Sequence, residues 1–484
     1  MTNASKYAAG LSAIKADKPA PLSDKDTPAR QSTLLKGGTK MSHTRIVDFL
    51  SEAVNSISNN IGSYVFHPNS DFTRNKKLPA DKLLQFLITE GSSSTRNELT
   101  EAFDYSPSRP SSQAFIQQRA KLKPEGIQAV FDRFNSSLDE LHPKGKYRFL
   151  AVDGSTLSFQ SDPRRSSNDY FNIQCNSADG CYSVHAVTSY DVDTDLYTDC
   201  VLQPIRKKDE FSAFRTIVDR HPLPGDGARL VFLADRGFCS YNDMAHVIER
   251  GQFFLFRAKD VDSKGLLHHF GFSESNSFDI SVKLIIIRRN SKKMVLPEGY
   301  RRFVTKDVSF DYVEYGSSDY YILPLRIIRF ELSPDNYEAL VTNLPANDFP
   351  QDSLKSLYHS RWKVETSYRY LKYTIGLTKF HSSKAVFIHQ EIWARLIGYN
   401  FTQAVINCAA VEKKEENKYS YQINFSVAVR VCRKFFRSSL AGVPISVIPL
   451  LLRELVPVRN DRPPFPRLKT AHFRRPAFFA YRPS

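Results

Sequence analysis

Three acidic residues stand in contexts that could bring carboxylates together. Asp153 follows an apolar run in RFLAVDGS, Asp235 follows another in VFLADRGF, and Glu365 is the one acidic residue of YHSRWKVETSYRYLK. Side chains where the strands of an α/β sheet end face the edge that binds ligands. Carboxylate oxygens suit Mg²⁺, and two such ions about 3.5 to 4 Å apart can drive an in-line displacement at phosphate. These residues therefore predict a two-ion site for phosphodiester chemistry.

The stretch around Glu365 has the periodicity of a helix with one polar stripe. At about 100° per residue, an arc of about 60° contains four polar residues, namely Tyr358, Arg361, Glu365 and Lys372. An apolar seam that would dock on a core runs beside it, formed by Leu357, Val364, Tyr368, Leu371 and Ile375. The alternative is a solvated helix face with an Arg361–Glu365 pair at (i, i+4).

The two aspartates also have a simpler interpretation. Asp is common where strands end, as a turn former or a helix cap. We expect a strand to end at Asp153, with a glycine turn after it. A general acid/base pair of the glycosidase kind would also use carboxylates, but it does not call for surrounding cations.

The composition favours a polyanionic partner. The 484 residues include 67 Lys and Arg against 51 Asp and Glu, a net charge of +16, which attracts nucleic acid or an acidic membrane. No apolar run approaches the ~18 residues of a membrane span, and the N-terminus lacks the apolar core of a signal peptide. We therefore expect a soluble intracellular protein that binds DNA or RNA. The six cysteines lack paired metal-ligand spacing, so we interpret them as reduced thiols.

The patterns divide the chain into six segments. The polar, proline-bearing N-terminal tail cannot bury enough to fold, and Met41 after it is a candidate native start. Helical, α/β, strand-only and again helical patterns follow. The predicted boundaries are 1–40 for a disordered tail, 41–145 for a helical domain, 146–258 for the first α/β part, 259–345 for an antiparallel β insertion, 346–400 for the second core part and 401–484 for a helical region with a basic arm.

The helices of segment 41–145 have two interpretations. Short helices joined by Ser and Pro turns, with Thr95 and Glu98 spaced as a capping box, could form a helix-turn-helix reader. Its second helix would offer Gln113, Gln117 and Arg119 to base edges. The other interpretation is an ordinary helical bundle.

Taken together, these segments resemble the DDE transposases of the bacterial insertion-sequence 4 family, marked by the signature Tyr-x2-Arg-x3-Glu-x6-Lys. The four polar residues of the stripe match it position for position, and VDGS and ADRGF match the contexts of the first two acids. The resemblance runs from FTRNKKLP to the C-terminal arm. It implies an α/β fold, a ribonuclease-H-like mixed-sheet core interrupted by the antiparallel β insertion, with helical N- and C-terminal regions.

The resemblance also implies a mechanism. Asp153, Asp235 and Glu365 would bind two Mg²⁺, with Mn²⁺ as a substitute; water would nick each transposon end, and the freed 3′-OH would attack target DNA. Segment 41–145 would bind double-stranded terminal inverted repeats, and a homodimer would form in the synaptic complex, in the bacterial cytoplasm. Tyr358, Arg361 and Lys372 would contact DNA, helped by Arg236.

Further contacts are expected near the signature. GLTKFHSSK directly follows it and carries Lys379, His381 and Lys384, whose types suit phosphate contacts. Members that excise through a hairpin stack a flipped base on an aromatic residue of the insertion. Both tryptophans lie outside that segment, which leaves three tyrosines as candidates, Tyr312, Tyr315 and Tyr320.

Two other functions stay open. A two-metal nuclease would cut without strand transfer, and a catalytically inactive, transposase-derived protein would bind DNA as a regulator. A zinc site is not expected, because four histidines lack ligand spacing, namely His185, His246, His268 and His269.

Overall fold

The computed structural model describes residues 42–74, 77–173, 180–272, 277–291, 294–334, 336–409, 411, 419–443 and 445–458. The predictions for the tail 1–40, for Met41 and for the basic arm from residue 459 lie outside the described residues. Within the described ranges, no helix has the length and apolar character needed to cross a membrane.

Five helices precede the sheet, where the sequence predicted helices. Serine side chains cap the N-termini of three of them by accepting hydrogen bonds from backbone N–H groups that a helix leaves unpaired. In α3 the capping residue is Ser94 rather than Thr95. Their apolar faces pack into the larger core. The helices are α1 (His43–Asn59), α2 (Ala80–Thr89), α3 (Thr95–Ala102), α4 (Ser112–Arg119) and α5 (Pro124–Leu138).

The central sheet confirms the predicted ribonuclease-H-like mixed core. Strand β1 pairs antiparallel with β3 and parallel with β5, β3 pairs antiparallel with β4, and β5 pairs parallel with β6. The order is thus β4-β3-β1-β5-β6, with the short β2 also on β3. The elements are β1 (Tyr147–Phe159), β2 (Phe171–Asn172), β3 (Cys181–Asp191), β4 (Leu196–Pro204), α6 (Glu210–Arg220), β5 (Arg229–Ala234), α7 (Tyr241–Glu249) and β6 (Phe253–Ala258).

The strands of the insertion extend this sheet. β10 pairs antiparallel with β6, β9 with β10, and β7 with β9, giving one sheet of ten strands. The expectation of a wholly antiparallel insertion is wrong at one pair, because β8 runs parallel to β7. Residues 288–299 between them are long enough for a parallel crossover. The strands are β7 (Phe278–Ile287), β8 (Tyr300–Phe303), β9 (Tyr320–Ser333) and β10 (Asn336–Thr342).

The signature stretch is not one regular helix. α8 and α9 meet at Arg361, and a π-helical turn, Tyr370–Ile375, follows and ends at Gly376 with φ 97°. The seam residues from Val364 to Ile375 are buried as predicted. α10 continues across residue 400, and β11 and β12, which flank α11 and α12 in the chain, pair antiparallel in the region predicted as helical. The elements are α8 (Gln351–Ser360), α9 (Trp362–Arg369), α10 (Ala385–Asn407), β11 (Ser420–Ile423), α11 (Phe425–Leu440), α12 (Val447–Arg453) and β12 (Leu455–Val458). The domain boundaries stay predictions.

The two faces of the sheet bury different cores. Ala151 and Leu157 of β1 join the core that contains residues of α1, α5, α9 and α10, whereas Leu150 and Val152 join the core under α6 and α7. Side chains alternate along a strand. Asp153 therefore faces the same side of the sheet as α9.

Candidate active site

The register of two parallel strands sets Asp153 beside Asp235. The last pair of the β1–β5 ladder is Val152 with Ala234, and an aspartate follows each of these residues. Adjacent strands lie about 4.8 Å apart, so the two backbones leave the ladder side by side. The expectation that the strand ends at Asp153 is wrong, because β1 continues to Phe159, paired with β3 alone.

Gly154 lies inside β1 and makes no turn; a glycine is needed there because a side chain would have no room. A Cβ there would come within 2.7 Å of Glu210 Oε1 and 2.8 Å of His185 Nε2. Those atoms form an ion pair at 3.0 Å. The pair with His185, together with Lys208 at 3.1 Å, lowers the pKa of Glu210 to about 2.

The signature helices bring a third carboxylate and a buried cation to these aspartates. Arg361 donates through Nη2 to Glu365 Oε1 at 3.2 Å, and the Tyr358 hydroxyl donates to Asp235 Oδ1 at 3.4 Å. Arg361 is 1% exposed and Tyr358 is 3% exposed. Nε and Nη1 of Arg361 have no hydrogen-bond partner among the described residues.

The electrostatics show that the three carboxylates interact. Burial raises the pKa of Asp153 to about 6; Arg361 opposes this rise, while Glu365 and Asp235 add to it. The pKa of Arg361 is raised because Tyr358 and the three carboxylates outweigh the effect of burial. One guanidinium thus faces three acids, and the site keeps an excess of negative charge that a cation would relieve.

The spacing of the donors bears on how many ions would fit. Donor atoms of one Mg²⁺ lie within about 4.2 Å of one another, because each bond is about 2.1 Å. Among the described residues, two other triads have all donor atoms within 4.8 Å, namely Glu90, His381, Glu391 and His142, Asp191, Asp193. The three predicted acids are not such a triad. Their oxygen donors are of the type that hard divalent cations prefer.

The cations predicted to contact DNA differ in burial and in their position along the chain. Lys372 is part-buried in the π-helical turn, where burial lowers its pKa and the Asp153 charge opposes this effect. Arg236 is exposed beside Asp235, whose Oδ1 accepts its backbone N–H at 2.7 Å. Lys379 is half-buried and Lys384 exposed, both in the loop beyond the π-helical turn.

Two predicted DNA-contacting residues are instead buried in one ion-pair network. The His381 side chain is 2% exposed and lies 3.1 Å from Glu90 Oε1 and 3.2 Å from Glu391 Oε2. Arg119 is 1% exposed and pairs with Glu391 at 3.2 Å. The expectations that His381 contacts phosphate and that Arg119 reads bases are therefore wrong for this conformation, although Gln113 and Gln117 are exposed.

The three candidate stacking tyrosines differ in position. Tyr312 packs against the His246 ring at 5.2 Å on the α6–α7 side, and Tyr315 is 48% exposed. Tyr320 is 43% exposed on β9. Tyr320 and Ile328 are an even number of residues apart on β9, so their side chains point to the same face of the sheet. Ile328 joins the core on the Asp153 side. Tyr320 thus shares a sheet face with the acids.

A fourth acid near the site was missed from the sequence. Glu338 on β10 pairs with Arg257 on β6 at 3.1 Å. Burial raises the pKa of Glu338, and the charge of Asp235 adds to that rise. The segment YEALVTNL shows only a strand pattern, so no local signal marks this residue.

Comparisons with known proteins agree with this core. Residues 144–401, more than half of the chain, match the family described as Transposase DDE domain. The chain is 28% identical over 141 residues to transposase InsG for insertion sequence element IS4 of Escherichia coli (strain K12). That match covers 27% of the chain and 30% of the relative, well short of its whole length.

One solved structure was matched over most of its length. The piggyBac transposase synaptic complex with hairpin DNA superposes with a TM-score of 0.45 at 10% identity, over 85% of this chain and 84% of that one. Similarity at this level does not identify a function.

Proposed function

The chain belongs to the transposase DDE domain family, as its resemblance to the insertion-sequence 4 transposases predicted, and from that premise we propose that it cleaves DNA at the ends of an insertion sequence and joins those ends to target DNA. The observation that carries the proposal is the β1–β5 register, which sets Asp153 beside Asp235. Glu365 joins them from α9, and the charge coupling at Asp153 includes both other acids.

Asp153, Asp235 and Glu365 are the residues that would hold two Mg²⁺, or Mn²⁺ in their place. Such ions activate the attacking oxygen and stabilise the leaving one in an in-line displacement. The protein's own part is to hold three like charges together. Arg361 contributes to this by donating a hydrogen bond to Glu365 and by opposing the rise in the pKa of Asp153.

Arg361 and Tyr358 act mainly by organising the acids, because both are almost fully buried. Tyr358 keeps Asp235 oriented through its hydroxyl. Nε and Nη1 of Arg361 are also buried and have no hydrogen-bond partner in the described part of the chain, so the guanidinium acts on the acids through its charge. Phosphate contacts from solvent fall to four more accessible cations, Lys372, Arg236, Lys379 and Lys384.

The partner is double-stranded DNA: the terminal inverted repeats and then the target. The net charge of +16 supports such a polyanionic partner, and pairing of two ends calls for a homodimer in the DNA-bound complex. A hairpin route would need a base-stacking aromatic residue. Tyr320 is the candidate because it is exposed on the face of the acids.

The first test is cleavage of a labelled duplex that carries the flanking element's terminal repeats. Wild type, Asp153→Ala and the control Asp169→Ala are compared with Mg²⁺ or EDTA; Asp169 forms a surface pair with Lys207. We expect metal-dependent nicking at the repeat boundary, lost in Asp153→Ala and kept in the control. Specific binding without cleavage would favour the inactive regulator. Cleaved ends without joined products would favour the nuclease.

A further inference from the structure

The hydroxyl of Tyr368 joins the helix that carries Glu365 to the strand that carries Asp153. Tyr368 is 7% exposed on α9. Its hydroxyl donates to the backbone carbonyl of Asp153 at 2.9 Å, and the Ala186 carbonyl is a more distant acceptor at 3.3 Å. Oγ1 of Thr188 on β3 lies 2.8 Å away. Since a phenol has one proton, the Thr188 hydroxyl can complete the network by donating to it.

A second hydroxyl contact ties the same helix to the sheet. Ser367 Oγ lies 2.6 Å from the Tyr197 hydroxyl of β4 and donates to the Val364 carbonyl at 2.7 Å. β4 carries none of the three predicted catalytic acids. Burial raises the pKa of Tyr368 well above its usual value, so its hydroxyl remains a donor. Of the two contacts, the Tyr368 hydrogen bond is therefore the one that joins Glu365's helix directly to Asp153.

The position of this link gives it leverage over the acids. Glu365 and Tyr368 are three residues apart, so they lie on one side of the helix. The helical backbone continues from α8 through Arg361 into α9, but its hydrogen bonding changes at Arg361 and again at the π-helical turn that begins at Tyr370. Functional groups must be held within about 0.5 Å of the productive geometry. A shift of α9 along β1 would move Glu365 relative to Asp153 and Asp235 together.

We propose that Tyr368 is a positioning residue that fixes the distance between Asp153 and Glu365. It acts through the backbone of one acid and the helix of the other, without touching DNA. Its catalytic consequence rests on the proposed function. The mechanical link itself belongs to the fold and can be measured without cleavage.

Tyr368→Phe removes the hydroxyl and keeps the ring. The matched control is Tyr190→Phe, which removes another buried hydroxyl, 3.2 Å from that of Tyr399. We expect Tyr368→Phe to slow cleavage about 10- to 100-fold, because a 1 Å misplacement can cost about 100-fold. The Mn²⁺ concentration for half-maximal cleavage should rise, and end binding should not change. A residue that only stabilised the fold would not move the metal dependence more than the control.

Hydrogen exchange measures the link in the free protein. We expect backbone amides of residues 362–375 to exchange faster in Tyr368→Phe than in Tyr190→Phe. Equal exchange and equal metal dependence in the two variants would overturn the positioning role. A wild type that does not cleave would instead overturn the proposed function, and the exchange comparison would still decide whether this hydroxyl holds the helix.

Discussion

Two carboxylate clusters in this molecule have similar residue types and opposite electrostatics. Asp153, Asp235 and Glu365 gather where β1 and β5 part, and the Glu365 side chain is 38% exposed. Glu90 and Glu391 gather around His381 between α2 and α10, with side chains 1% and 3% exposed. The first cluster is partly open to solvent, whereas the second is closed.

The second cluster has its counterions built in. His381 lies between the two glutamates, and Arg119 pairs with Glu391. These cations lower the pKa of Glu391 although burial acts to raise it, while burial raises the pKa of Glu90. Arg119 and Arg395 both interact with Glu90. A divalent cation would therefore add positive charge to a site whose carboxylates already have positively charged partners. This triad has tight donor spacing without the charge deficit of a metal site.

The comparison teaches that missing charge, more than donor spacing, distinguishes the candidate active site from the closed cluster. In the first cluster one guanidinium faces three acids, and the pKa of Asp153 is raised to about 6. Perturbed groups of this kind are typical of functional sites. The predictions below test whether the open cluster serves chemistry and the closed one serves the fold.

The largest expected effect is on catalysis. Glu365→Gln should reduce metal-dependent cleavage by about 1,000-fold or more, since it removes charge needed where the transition state develops. End binding, measured by mobility shift, should change little. Glu391→Gln, the same substitution in the closed cluster, should leave cleavage per folded molecule near wild type. Similar loss of cleavage in both variants would break the comparison.

The same pair of variants should reverse order in stability. Glu391→Gln removes the buried carboxylate that pairs with both Arg119 and His381, which should cost about 3 to 5 kcal/mol of unfolding free energy. Glu365→Gln removes a carboxylate that repels its neighbours, so it should not destabilise the protein. Urea unfolding with EDTA present measures both. A wild-type midpoint for Glu391→Gln would show that the closed cluster does not support the fold.

A smaller effect follows from the charge of Asp153. Its pKa is about 6 in the folded protein and about 3.9 unfolded, so folding favours its protonated form. That contribution is fully present below pH ~4 and is lost as pH rises through ~6. Asp153→Asn should therefore stabilise the metal-free protein at pH 7 by up to about 3 kcal/mol. Thermal unfolding from pH 4 to 7 should show the gain appearing with pH; a gain independent of pH would contradict it.

Short sequence contexts marked the three acids as candidates, and their catalytic role stays a prediction. The sequence did not reveal that β1 passes through Gly154, since a glycine after a strand suggests a turn. The cause is the crowding by Glu210 and His185, whose positions only the folded sheet defines. Likewise, nothing near Arg119 in the sequence marks it as buried, because its partner Glu391 is 272 residues away.

The α/β order of the core was predictable because alternating and continuous apolar patterns follow the strands, whereas its ribonuclease-H-like arrangement was predicted from the family resemblance. The break at Arg361 and the π-helical turn were not predictable, because a constant 100° per residue assumes a regular helix. A π-helical turn often marks a functional site, and here it carries Lys372, a predicted DNA contact whose pKa the charge of Asp153 acts to raise.

The smallest expected effect is on DNA binding by Lys372, and it distinguishes a phosphate contact from an action on the neighbouring acids. If Lys372 neutralises one phosphate, Lys372→Ala should weaken end binding and lower the slope of log affinity against log salt by about 1. Lys355→Ala is the control, because that ammonium lies over the Phe330 ring at 5.3 Å and serves packing. Titrations of labelled end DNA at several salt concentrations give both slopes. An unchanged slope with slower cleavage would instead mean that Lys372 acts on the acids, through its charge beside Asp153, and not on DNA.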